Sequence, residues 1–273
     1  MRRYAVIGWP VGHSLSPAMQ NAAFKARGID ALYEAVPIDP EEFHTGIRRL
    51  LDEGFDGWNV TVPHKERMFE ACDALGNGDA RASGTVNTVV VSNGRMTGYS
   101  TDALGVVRAI AHDFGIRSMP ATQLYLGCGG AAQAVATHAA VNGARTLYLA
   151  NRTIEKAEAQ VRRISALNPA CRAIAIPLAA ASEVVPQCDI VFQCTSLGMR
   201  PDDPMPIPPE AIPVDTPVFD FVYTPSRFRE ALRMRGNPVS DGLEMLLQQG
   251  MESFRIWTGL DAPEEEMRSA LHA

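Results

Sequence analysis

Amide, hydroxyl, ammonium and carboxylate side chains gather in small clusters early in this chain. Asn59-Val60-Thr61-Val62-Pro63-His64-Lys65 sets Asn59 and Thr61 two residues apart, on one side of a strand, with Lys65 just past its end. Asn87 follows in Gly84-Thr85-Val86-Asn87-Thr88, and Gly98-Tyr99-Ser100-Thr101-Asp102 ends on an aspartate that starts a helix. In a doubly wound sheet ligands collect at strand carboxyl ends, so these groups stand where a small polar molecule would bind. Each also has a plain structural use: Asp102 or Thr101 as a helix cap, Lys65 as a surface lysine, Asn87 as a turn residue. Taken singly, the structural use is the better reading of each.

A second kind of chemistry is written in glycine. Gly127-Cys128-Gly129-Gly130-Ala131-Ala132 follows a strand, Gln123 to Leu126, and precedes a helix of small and apolar residues, Ala132 to Val141, stopped by Gly143. This is the G-x-G-x-x-G/A fingerprint in its proper setting. Gly127 permits the tight turn, Gly129 lets backbone approach a pyrophosphate, Ala132 allows close helix-on-strand packing, and the helix N-terminus offers amides to the anion. In NAD-selective sites an acid about 20 residues further on holds the ribose 2′-hydroxyl. Here the next strand, Thr146 to Ala150, ends in Asn151-Arg152-Thr153. An arginine suits a 2′-phosphate instead, with Thr153 as a further donor and Lys156 as extra charge, so NADP is favoured over NAD. The competing use is a solvent-facing Arg152 and an Asn151 that caps the next helix.

The elements that must carry these residues alternate strand and helix along almost the whole chain, which predicts an α/β protein with a largely parallel sheet. Tyr4 to Ile7 reads as a strand, followed by a loop and a helix with Ser16 as N-cap, Pro17 at its first position and Gly28 as its stop. Asp39-Pro40 opens a helix that ends at Gly54, and Trp58 to Val62 reads as a buried strand closed by Pro63. Ser92-Asn93-Gly94 joins two β-prone runs as a hairpin, and a helix runs from Asp102 to about Gly115. Strand–helix units then repeat through Arg145 to Ala150, Asp189 to Cys194 and Val218 to Val222, with a proline-dense connection from Pro201 to Pro217.

At 273 residues, with 46% hydrophobic and 21% charged residues, the chain is long enough for a large core and is neither disordered nor low in complexity. Its net charge of −6 and lack of a basic run argue against nucleic acid as a partner. No apolar run approaches a membrane span, and Met1-Arg2-Arg3 leads straight into a strand rather than a signal peptide. The five cysteines, Cys72, Cys128, Cys171, Cys188 and Cys194, are scattered with no C-x-x-C pair, so neither disulfides nor a metal site is expected; free thiols in the cytoplasm fit best.

Taken together, the clusters carry a family resemblance across essentially the whole chain. In order they are Ser14-Leu15-Ser16-Pro17, Asn59 to Lys65, Gly84 to Thr88, Ser100-Thr101-Asp102, Gly127 to Ala131, Asn151-Arg152-Thr153, Cys194-Thr195-Ser196-Leu197-Gly198-Met199, Asp220 to Pro225, and Asp241-Gly242-Leu243 with Gln249 downstream. The chain resembles the shikimate dehydrogenases. The resemblance implies reversible hydride transfer between NADPH and the ring carbonyl of 3-dehydroshikimate, with Lys65 and Asp102 as the catalytic pair. It further implies that Ser14 and Ser16 meet the substrate carboxylate, and that Asn59, Thr61, Asn87 and Gln249 meet its hydroxyls or reacting centre. Tyr223 would lie near the junction of substrate and cofactor domains. Gly127, Gly129, Gly130 and Ala131 would hold the pyrophosphate and Asn151, Arg152 and Thr153 the ribose phosphate, with Thr195, Leu197, Gly198, Met199 and Gly242 also on the cofactor side.

The architecture so implied is two α/β domains. Residues 1–102 with 240–273 form a substrate-binding catalytic domain, and residues 103–239 a Rossmann-type doubly wound NADP-binding domain. Two departures stand out: Ser100 where the family commonly has asparagine, and Cys128 inside the glycine loop. Neither removes a catalytic group. They leave room for the sister quinate/shikimate dehydrogenases, which His13 to Pro17 and Tyr99 also resemble, and for a protein that binds NADPH without chemistry. A small-molecule partner is expected, and a monomer and a homodimer fit the pattern equally.

Overall fold

A computed structural model describes residues 1–198, 200 and 202–272. They cluster into two compact units, Met1–Gly105 with the segment from Leu246, and Val106–Met245.

The first unit holds β1 (Arg2–Gly8), α1 (Ser16–Ala26), β2 (Ala31–Pro37), α2 (Phe43–Asp52), β3 (Gly57–Val60), α3 (Lys65–Ala71), β4 (Ala74–Leu75), α4 (Gly78–Ser83), β5 (Thr88–Ser92) and β6 (Arg95–Tyr99). Its strands form one mixed sheet in the order β2-β1-β3-β5-β6-β4. The first two neighbour pairs, β2-β1 and β1-β3, are parallel, whereas β5 runs antiparallel to β3 and β6. Strand alternation divides the core between the sheet faces. Ala5 and Ile7 of β1 pack with Phe43, Ile47 and Leu50 of the amphipathic α2 and with Trp58, while Tyr4 and Val6 face Met19, Phe24, Phe254 and Trp257. The sequence-predicted strand Trp58 to Val62 stops at Val60. Pro63 has no N–H to give a sheet, Thr61 and His64 close a turn (His64 N to Thr61 O, 3.0 Å), and Val62 is exposed. Thr61 therefore sits on a turn and not on the strand with Asn59. At α1, Ser16 is the first helical residue rather than its cap; the Oγ of Ser14 accepts from the Ser16 amide at 3.2 Å.

The chain leaves this unit through α5 (Asp102–Phe114). The second unit then holds β7 (Thr122–Leu126), α6 (Gly130–Val141), β8 (Thr146–Asn151), α7 (Ile154–Leu167), β9 (Arg172–Pro177), α8 (Ala181–Val184), β10 (Ile190–Gln193), β11 (Val218–Asp220), α9 (Arg227–Arg235) and β12 (Val239–Ser240). All its strands are parallel, in the order β12-β11-β10-β7-β8-β9. That is the doubly wound order, whose switch point lies between the strands that open its two halves, β7 and β10. Leu124, Leu126 and Val191 pack on one face with Phe228 and Leu232 of α9, and Tyr125, Phe192 and Phe219 on the other with the alanine-rich α6. The strand predicted to reach Val222 ends at Asp220, whose carboxylate takes the Val222 amide (3.0 Å). The chain returns to the first unit along α10 (Gly242–Thr258) and ends on α11 (Glu264–Leu271).

Candidate active site

In the first sheet β1 lies between β2 and β3, so the loops after β1 and β3 diverge at a switch point of their own. Ser14 and Ser16 come from the first loop and helix start, Thr61 and Lys65 from the second. Lys65 opens α3 and Asp102 opens α5, and the Lys65 ammonium lies 2.6 Å from Asp102 Oδ2. Their side chains are 11% and 4% exposed, so the pair is shielded from water yet Lys65 keeps access to it. The turn before Lys65 is pinned by His64, fully buried, with Nε2 2.7 Å from the Ile38 carbonyl and its ring against Phe43. Burial lowers the His64 pKa, which keeps the ring neutral and leaves Lys65 the only cation of this turn.

Amides hold the carboxylate from its other side. Asn87 Nδ2 lies 2.9 Å from Asp102 Oδ1, 2.9 Å from Thr101 Oγ1 and 3.3 Å from Gln249 Oε1, while Asn87 Oδ1 accepts from the Thr101 amide at 2.9 Å. Asn59 accepts from the Tyr33 hydroxyl at 2.7 Å and points its own amide at Asn87 O, Thr88 Oγ1 and Ser253 Oγ. Each amide group thus offers its two hydrogens to three acceptors. The result is one buried polar network running from Tyr33 to Lys65. Asn59, Asn87 and Gln249 are all in it, and Ser16 meets it through the Tyr33 hydroxyl. Thr61 and Ser14 stand half-buried beside it. Sequence reasoning missed Tyr33, Thr88 and Ser253; Ser253 follows Gln249 by one helical turn on α10, the one spacing that could have pointed to it.

The second unit builds its site from backbone. Gly127 holds φ +99°, and a Cβ there would come within 2.9 Å of Thr195 Cγ2 and 3.0 Å of the Thr195 amide, so only glycine lets the loops after β7 and β10 meet. Gly129 caps α6, and a Cβ on it would meet nothing within 4 Å, so the loop is open at that position. The first amides of a helix have no intrahelical acceptor, so this end suits an anion. Asn151 closes the loop: its Oδ1 accepts from the Cys128 amide (3.2 Å) and its Nδ2 donates to Thr153 O (2.8 Å). Arg152 and Thr153 stand exposed beside it. An open glycine loop flanked by a free-standing guanidinium fits a phosphorylated dinucleotide. Cys128, inside the loop, is buried and its thiol is pushed up to about 12 by desolvation, so it is packing rather than a nucleophile.

After β10, buried Gln193 folds the next loop onto itself. Its Oε1 takes the Thr195 amide and hydroxyl (2.8 and 2.7 Å) and its Nε2 donates to Leu197 O (2.9 Å). Leu197 and Gly198 then line a cavity of about 400 Å³ with Pro204, Thr224, Pro225 and Phe228. Met199 lies outside the described residues. Tyr223 and Gly242 belong to this second unit, Tyr223 half-buried after β11 and Gly242 at the start of α10. Among the described residues no cluster of His, Cys, Asp or Glu could hold a metal ion, and no helix is long and apolar enough to cross a membrane.

A buried, hydrogen-bonded ammonium–carboxylate pair beside hydroxyls and amides, with a glycine loop on a doubly wound parallel sheet, defines a dinucleotide-linked α/β oxidoreductase. Comparison with known proteins narrows the class. Residues 6–89 match the shikimate dehydrogenase substrate binding domain, residues 111–199 the shikimate / quinate 5-dehydrogenase domain, and residues 242–272 the shikimate 5'-dehydrogenase C-terminal domain. A shikimate dehydrogenase (NADP(+)) of Rubrobacter xylanophilus is 41% identical over 270 residues, 97% of this chain and 94% of the relative. One from Methanopyrus kandleri is 39% identical over 272 residues, 97% of this chain and 93% of the relative. Among solved structures, shikimate 5-dehydrogenase of Thermus thermophilus in complex with NADP(H) and shikimate superposes with a TM-score of 0.86 at 33% identity, covering 100% of this chain and 99% of that one. Quinate dehydrogenase of Corynebacterium glutamicum in complex with NAD gives 0.87 at 26% identity, covering 98% of each chain. The chain belongs to the shikimate dehydrogenase family.

Proposed function

We propose that this protein is an NADP-dependent dehydrogenase that interconverts 3-dehydroshikimate and shikimate, with Lys65 as general acid and base and Asp102 as its partner. The observation that supports it most is the 2.6 Å Lys65–Asp102 pair, fixed by Asn87 and set among short hydroxyl and amide donors. Bound NADP(H) supplies the acceptor or donor of hydride at the ring carbon. As a carbonyl is reduced, negative charge grows on its oxygen; the Lys65 ammonium stabilises that charge and gives up a proton to it. In the oxidative direction the neutral amine takes the proton back. Asp102, held at Oδ1 by Asn87 and at Oδ2 by Lys65, orients the lysine and accepts a hydrogen bond from a substrate hydroxyl.

On this reading the first unit is the substrate domain. Ser14 and Ser16 receive the carboxylate, and Thr61, Asn59, Asn87 and Gln249 the hydroxyls and the reacting centre, while Tyr223, a residue of the second unit, is a further substrate contact. The second unit is the cofactor domain. Gly127, Gly129, Gly130 and Ala131 hold the pyrophosphate, Asn151, Arg152 and Thr153 the 2′-phosphorylated ribose, and Thr195, Leu197, Met199 and Gly242 the nicotinamide end. Cysteines that are all free, with every thiol pKa raised, suit work in a reducing cytoplasm, as a monomer or a homodimer.

Initial rates of NADP⁺ reduction with shikimate and quinate in parallel, each repeated with NAD⁺, test the proposal. Fast turnover with shikimate and NADP⁺ alone is the expected result. Preference for quinate or NAD⁺ would place the chain in the sister branch, and tight NADPH binding with no turnover of either acid would leave a binding protein.

A further inference from the structure

The loop that carries Tyr223 is tied down by one buried side chain that the mechanism does not use. Arg229 lies at the start of α9 and is 3% exposed. Its neighbours on that helix, Phe228 and Leu232, are apolar and pack against Leu124, Val191 and Val218, so packing alone would be served by a leucine. A guanidinium stands there instead. Its Nη1 donates to Asp220 Oδ2 (3.2 Å) and to the Val222 carbonyl, and its Nη2 donates to the Thr224 carbonyl (2.7 Å). Asp220 in turn accepts the Val222 amide, and Ser226 Oγ accepts the Arg229 amide (3.3 Å). The two carbonyls that flank Tyr223 in the chain are therefore fastened to one rigid fork. Taking an ion pair out of water is costly unless its geometry is good and further hydrogen bonds satisfy the remaining donors; here the Val222 and Thr224 carbonyls supply such bonds.

We propose that Arg229 is a positioning residue for substrate recognition: by holding the Val222 and Thr224 carbonyls it sets the direction of the Tyr223 phenol. This rests on the reading that Tyr223 touches the substrate. A lysine at 229 keeps the charge beside Asp220, but a point ammonium cannot span both carbonyls as the planar guanidinium does. The ion pair and the loop geometry are thus separable by one substitution.

The test is a double-mutant cycle on the full-length enzyme with R229K, Y223F and the combined variant, reading kcat and KM for shikimate and KM for NADP⁺. Misplacing a contact residue by an ångström costs on the order of 10²-fold, so each single variant should lose about tenfold or more in kcat/KM for shikimate while KM for NADP⁺ stays put. The combined variant should be no worse than the weaker single one, because both changes remove the same contact. An arginine with a merely structural role would lower stability without that split or that coupling. R229K with wild-type kinetics beside an impaired Y223F overturns the proposal alone, as do losses that multiply. A Y223F enzyme with wild-type kinetics overturns the Tyr223 reading and the proposal with it. Where R229K does not fold, the D220N/R229M pair, which leaves no buried charge alone, carries the same kinetic expectation.

Discussion

The two functional regions of this chain are made of opposite materials. Around Lys65 the parts are side chains that hold one another: two asparagines, a buried tyrosine, serines and threonines drawn from β2, β3, β5, α5 and α10. Around Gly127 the parts are main-chain amides and empty space, with one asparagine as a brace. A side-chain network is specific for the shape and protonation of what it meets, and fails when one member is changed. A backbone cradle tolerates changes to most side chains and fails only where a Cβ appears or the turn is lost. On the proposed reading, one region chooses the substrate and the other accepts a dinucleotide whose features are shared by many enzymes.

Lys65→Ala attacks the first region alone. Turnover should fall by about 10²- to 10⁴-fold, the usual worth of general acid–base catalysis, with NADPH affinity by fluorescence titration unchanged. Gly127→Ala attacks the second alone. An alanine forced to φ +99° against Thr195 should cost about 1–3 kcal/mol of stability in urea unfolding, with NADPH binding lost in step. Arg152→Ala sharpens the contrast, since it removes one charged side chain from a site made mostly of backbone: NADPH affinity should drop about tenfold or more while NADH affinity holds. Equal losses for the two cofactors would show that Arg152 does not read the 2′-phosphate.

The smallest effect is a pH dependence in the second unit. Burial pushes the Asp220 carboxyl up from 3.8 to about 6, against the pull of Arg229 and the Val222 amide. Folding therefore takes up a proton between those values, so this group's contribution to stability is greatest at acid pH and is lost as pH rises through about 6. The stability of wild type relative to D220N should shrink by about 1 kcal/mol between about pH 5 and about pH 7, measured by urea unfolding.

Legibility in the sequence follows the same division. The glycine loop could be read outright, because its chemistry lies in residues contiguous along the chain between one strand and one helix. The Lys65 network could not be assembled from spacing, because its members come from segments as distant as Asn59 and Ser253, and each has an ordinary structural use. Only the order of several motifs, matched to a family, drew Ser14, Asn87 and Gln249 into one set. The central strands β1, β7 and β10 show as apolar runs, being covered on both faces. The strands β2 and β9 are half-buried along much of their length and pass without a clear pattern; β2 carries Glu34 and β9 ends in Pro177. The strand ends at Val60 and Asp220 were hidden because side chains and a proline, not local propensity, divert the backbone there.

The first unit is discontinuous in the chain: its last segment, from Leu246, follows the whole of the second unit. A ribosome delivers residues in order, so the nucleotide cradle has every residue it needs while the lysine's network still lacks Gln249 and Ser253. On the proposed roles, the residues that would hold a dinucleotide are thus all synthesised before Gln249 and Ser253 complete the network that would hold a substrate.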